Sequence, residues 1–113
     1  MSGRIEFERE RPRLRDATVH VWIEDTTYAD VPAIRVAEHR MRNVSYDGEP
    51  CGIPFALEWD DERSRLPGHT YSVAAFVDVD LDGWPGRGDY VCSRAVPVPQ
   101  PDTVAQVRVQ RIA

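Results

Sequence analysis

Lysine is missing from this 113-residue chain; all fourteen basic residues are arginine. A GC-rich coding sequence accounts for that bias without any function. Cysteine is scarce, with only Cys51 and Cys92 present. Two thiols allow at most one disulfide, and in a chain without an export signal free thiols are the expectation. No apolar run reaches the ~20 residues that a membrane span needs. The start, Met1-Ser2-Gly3-Arg4-Ile5-Glu6, has no hydrophobic signal-peptide core. These absences point to a cytoplasmic protein, or to an envelope or periplasmic one whose export signal was removed. The chain also has no Gly-x-Ser-x-Gly elbow, phosphate loop or dinucleotide fingerprint.

The net charge of −5 and the pI of about 5.1 argue against nucleic acid or an anionic membrane as partner. Arg4, Arg9, Arg11, Arg13 and Arg15 crowd the start, but Glu6, Glu8 and Glu10 interleave with them, as on a solvated strand. At 42% hydrophobic and 29% charged residues, the composition is that of one globular domain spanning 1–113.

Strict alternation dominates the rest. Ala17, Val19, Val21 and Ile23 share one face of a half-buried strand. The same pattern recurs over Ile53 to Trp59, Tyr71 to Val77 and Val104 to Val109. Ile5 and Phe7 mark a short opening strand, and Asp89 to Val96 reads as another. Val31 to Arg42 is ambiguous: helical spacing competes with Pro32 and the β context. Turns fall at Asp47-Gly48, Leu66-Pro67-Gly68, Asp82-Gly83 and Gly86-Arg87-Gly88. Pro97, Pro99 and Pro101 cannot donate to a central ladder, so that stretch is an edge or a crossover. The expected fold is all-β, an antiparallel sandwich of about seven strands.

One loop carries the chemistry. Asp78-Val79-Asp80-Leu81-Asp82-Gly83, followed by Asp89, places carboxylates at positions 1, 3, 5 and 12 of a twelve-residue loop with Gly at position 6. That is the spacing of a calcium loop, here carried between strands rather than helices. Asp78, Asp80, Asp82 and Asp89 would supply side-chain oxygens and Trp84 its carbonyl. Calcium is the expected ion, with magnesium as the alternative because Asp89 is shorter than the usual Glu. The plainer reading is a solvated hairpin loop with a turn-forming Asp-Gly.

Other candidates are weaker. His20, His39 and His69 lack the short spacing of zinc ligands. Cys51 lies in a turn with no nucleophile signature around it, and Cys92 alternates with Tyr90 and should pack inward. Glu58, Asp60, Asp61 and Glu62 read as a charged turn rather than an acid–base pair. Arg87-Gly88-Asp89 is a chance match to an integrin tripeptide. Trp22 opposes the apolar face of its strand; exposed together with Tyr28, it would mark a partner-binding surface.

The segment from Val19 to Ala33, Val-His-Val-Trp-Ile-Glu-Asp-Thr-Thr-Tyr-Ala-Asp-Val-Pro-Ala, resembles the V-x-V-x-L-x-D-x-S-x-A-D-x-P stretch of the YbaY-like lipoproteins, which share a domain with YscW-type pilot proteins of type III secretion. Pro54-Phe55-Ala56-Leu57, Tyr71-Ser72-Val73-Ala74-Ala75 and Ala95-Val96-Pro97-Val98 resemble further marks of that family in the same order. The likeness covers about residues 17 to 112. It implies a small β-sandwich and a non-enzymatic binding or assembly module with a protein partner. Two alternatives stand beside it: a small metal-dependent hydrolase or carbohydrate-active accessory domain that uses the acidic loop, and a metal-free structural domain.

Overall fold

The computed structural model describes residues 1–28, 30–59, 64–92, 94, 96–98 and 103–113. Eight strands are described: β1 (Ser2–Phe7), β2 (Arg13–Asp25), β3 (Ile34–Asp47), β4 (Ile53–Ala56), β5 (Tyr71–Asp78), β6 (Tyr90–Cys92), β7 (Val96–Pro97) and β8 (Ala105–Arg111). The all-β expectation holds. The wiring differs from two antiparallel layers, because the strands join in one mixed sheet ordered β3-β2-β5-β6-β8-β1-β4, with β7 paired to β5. This sheet curls until it nearly closes into a barrel. β1 and β8 run parallel, from Gly3 opposite Ala105 to Phe7 opposite Val109. Alternation assigns a face to each residue and says nothing about strand direction, so the sequence could not reveal this pair.

Inside the curl, Ile5, Val19, Val21, Val73, Ala75, Val77, Val107 and Val109 form one core. Ile23, Leu57 and Tyr71 form a second, smaller cluster with the half-buried Trp59 against it. Small β-branched residues dominate because they pack well on a pleated, strongly curved surface. Gly3 is needed for close approach: a Cβ there would lie 2.5 Å from Phe55 Cζ and 2.7 Å from the Ala105 carbonyl oxygen.

Three sequence readings are shortened or resolved. The strand expected over Ile53 to Trp59 ends at Ala56. The one expected over Asp89 to Val96 is two short pieces, β6 and β7. Val31 to Arg42 is resolved as strand from Ile34 onward, within fourteen-residue β3. Its pairing with β2 shifts register between Leu14 and Ala17 and again between Ala17 and Val19. Asp16 and Asn43 take positive φ values of 55° and 56° at these shifts. Hence Leu14 and Ala17 are both buried although they are three residues apart.

Candidate functional site

β5 ends at Asp78 and β6 begins at Tyr90, and the acidic loop closes between them. Asp78 is 2% exposed and Asp89 is fully buried. The Asp78 carboxylate accepts the N–H of Leu81 at 3.0 Å on Oδ1 and that of Gly83 at 2.9 Å on Oδ2. Asp89 accepts the N–H of Val79 at 2.8 Å on Oδ1 and that of Gly86 at 3.0 Å on Oδ2. These two carboxylates therefore satisfy four backbone donors of the loop. Main-chain bonds from Ile112 to Asp89 (2.9 Å) and from Gly88 to Ile112 (3.0 Å) tie its far end to the chain after β8.

Asp80 and Asp82 are exposed. The N–H of Trp84 donates to Asp82 Oδ1 at 3.0 Å. Carboxylate oxygens of Asp78, Asp80, Asp82 and Asp89 lie within 4.8 Å of one another. The four spaced aspartates of the sequence thus converge, two as buried anchors and two as exposed arms. The Asp80 carboxyl is raised above the ordinary carboxylate value, first by desolvation and then by hydrogen bonds shared with Asp78 and Asp82. Hard oxygens crowded in this way suit a calcium or magnesium ion in chemical type. The burial of Asp89 also means that Arg87-Gly88-Asp89 presents no carboxylate for a receptor to read.

The outer face of the sheet beside this loop holds what the sequence did not reveal. His20 and Trp22 of β2, Phe76 of β5, and Trp84 and Pro85 of the loop line one groove of about 510 Å³. The His20 and Phe76 rings stack at 5.2 Å, and the Arg35 guanidinium lies 3.9 Å over the Trp22 ring. Trp22 Nε1 donates to Glu24 Oε2 at 3.2 Å. Trp22 is thus half-buried in a polar stack, while Trp84 is 75% exposed. Tyr28 is 64% exposed and meets His69 edge-on at 5.8 Å, in different surroundings from Trp22.

A second polar cluster had no motif to announce it. His69 Nδ1 lies 2.6 Å from Asp25 Oδ2, and Thr27 donates to Asp25 Oδ1 through its N–H at 3.0 Å and through its hydroxyl. These bonds, that from the Thr27 side chain first and that from His69 second, lower the Asp25 pKa to about 2. Asp25 and His69 are 44 positions apart, and the β2–β5 pairing brings them together.

Cys51 is exposed and Cys92 half-buried, both as free thiols. Cys92 packs on the core as its alternation implied, with Ala75 N 3.0 Å from its sulfur. Of the acidic stretch after Trp59, Asp60, Asp61 and Glu62 lie outside the described residues. Among the described residues, no helix is long and apolar enough to cross a membrane.

Comparison with curated proteins returns no match. Among solved structures, an alternative pilotin from the type II secretion system of Vibrio cholerae is similar over 100% of this chain and 96% of its own, at 24% identity and a TM-score of 0.75. That likeness concerns the fold. The family model of the type III secretion system lipoprotein chaperone, YscW, matches residues 1–110, and the chain therefore belongs to the YscW family.

Proposed function

We propose that this protein is a non-enzymatic chaperone of a bacterial secretion system, which binds a secretin at the envelope and accompanies it to its site of assembly. The observation that carries the reading is the family match across residues 1–110. A lipoprotein chaperone works at the envelope, so this reading takes the envelope alternative of the sequence analysis over the cytoplasmic one. The fold suits the role: among the described residues, the fourteen-residue β3 lies at an edge of the sheet, where a partner segment can be accepted.

In this reading the acidic loop takes a calcium ion. Asp78 and Asp89 shape the loop, and Asp80 and Asp82 close over the ion. Bound calcium would favour the ionised Asp80 carboxylate, which desolvation and the neighbouring aspartates disfavour, and would stabilise only the folded state. At a free concentration 100 times its Kd, a ligand of this kind adds about 2.7 kcal/mol.

Two experiments test the reading. Purified secretin from the same host is immobilised, and binding of this protein is measured; no saturable binding would end the chaperone assignment. Calorimetric titration of EDTA-stripped protein with calcium, repeated with magnesium, tests the ion. A flat titration together with an unchanged melting temperature would reduce the loop to a hydrogen-bonded turn.

A further inference from the structure

The outer face of β2, β3 and β5 carries two adjoining grooves. The first, of about 510 Å³, has aromatic walls made by Phe76, Trp22 and the exposed Trp84. The second, of about 560 Å³, runs along the β3 edge and is lined by Arg35, Glu38, His39, Arg40 and Arg42. His20, Trp22 and Arg35 line both, so the two are continuous. One end of the surface is apolar and the other basic.

The charge balance of the basic end opposes that of the molecule. The chain carries −5 overall, yet three arginines meet one glutamate here. Glu38 is engaged by Arg35 at 3.3 Å, and Arg40 and Arg42 make no ion pair among the described residues. Cationic arginines on β3, an edge strand among the described residues, also discourage self-association, because a second copy of β3 would bring the same charges face to face. That argues against a homodimer and for a partner of opposite sign. Between the two ends, the buried Nε2 of His20 has no hydrogen-bond partner among the described residues.

We infer that this composite surface docks an acidic segment of the partner protein, with an aromatic or aliphatic side chain in the Trp84–Phe76 groove and carboxylates on Arg40 and Arg42. This rests on the secretin-binding reading and gives it a location and a chemistry. Buried aromatics and arginines are the residue types that dominate binding energy at interfaces, so a few side chains should carry the affinity. Charge pairing of this kind also makes binding weaken with added salt.

The test uses the immobilised host secretin and compares wild type with three variants. Arg40→Glu/Arg42→Glu should lose about tenfold or more in affinity, and so should Trp84→Ala. The control, Arg94→Glu/Arg108→Glu, reverses the same amount of charge in a different groove and should bind as wild type does. All substituted side chains are exposed, so folding is checked by circular dichroism and should be retained. Unaltered binding by the Arg40/Arg42 variant would overturn the inference while leaving the chaperone reading standing. Equal weakening by the control would show diffuse electrostatics and would also overturn it. Loss with Trp84→Ala alone would make the site apolar, against an acidic segment. No binding by wild type would remove the chaperone reading itself and this inference with it.

Discussion

Asp89→Ala is the substitution whose consequence the geometry fixes most tightly. The Asp89 side chain is fully buried, and its two oxygens accept the N–H groups of Val79 at 2.8 Å and Gly86 at 3.0 Å. Alanine leaves both donors without an acceptor. Each orphaned donor costs about 1–3 kcal/mol, and bonds to a charged acceptor lie toward the upper part of that range. Some of the cost is recovered if water enters the space left by the carboxylate. The expected net loss is about 3 kcal/mol, a large part of the ~5–15 kcal/mol by which a domain is stable. In a chain of this size the melting temperature should fall by about 10–20 °C. Urea denaturation in EDTA, followed by circular dichroism, measures the loss without any contribution from an ion. The slope against urea should match wild type, since the surface exposed on unfolding is the same. Asp89→Asn keeps one acceptor oxygen but sets an amide N–H against a backbone donor, so this variant should fall between wild type and Asp89→Ala. Amide hydrogen exchange localises the effect: Val79 and Gly86 should lose protection before the core of β5 does. A loss below about 1 kcal/mol, with those amides still protected, would refute the reasoning, because the donors would then have another acceptor.

Asp80 should behave in the opposite way. Its raised carboxyl pKa means that the native loop favours the protonated form, so the folded state loses stability as pH rises through that value. Asp80→Asn in EDTA at neutral pH should therefore melt at or above wild type, and, if the proposed calcium site exists, calcium should raise the melting temperature of wild type but not of this variant. Asp25 has the reverse sign: its pKa is lowered from 3.8 to about 2, so its stabilisation is present above the ordinary value and fades as pH falls toward 2. An acid titration of wild type against Asp25→Asn should show the two stability curves converging at the acid end, and parallel curves would contradict the assignment. Gly52→Ala should be severely destabilising, by more than about 2 kcal/mol. Its φ is +72°, and the new Cβ would meet the Ile5 carbonyl oxygen at 2.2 Å. Chemical denaturation gives the value, and a loss under about 1 kcal/mol would show that the β1 backbone yields easily.

What the sequence made legible follows from periodicity and spacing. The alternation in Ala17 to Ile23, Tyr71 to Val77 and Val104 to Val109 marks strands because each has one face in the core. The spacing of Asp78, Asp80, Asp82 and Asp89 marks a tight loop, because these residues are neighbours in the chain and local turns bring them together. The ordered motifs from Val19 to Val98 pointed to the family that the match over residues 1–110 bears out. Three things needed the tertiary structure. Alternation sets faces but not partners, so the parallel β1–β8 pair and the near-closure of one sheet depend on long-range ladders. The bulges at Asp16 and Asn43 break the period of two, which hid the true length of the β2–β3 hairpin. The outer-face surface joins Trp22 and Arg35 to Phe76 and Trp84, residues that meet only because β5 pairs with β2 and the acidic loop folds back over them. Local chemistry is written in adjacent residues, whereas a surface shared by three strands and a loop exists only once the strands have chosen their neighbours.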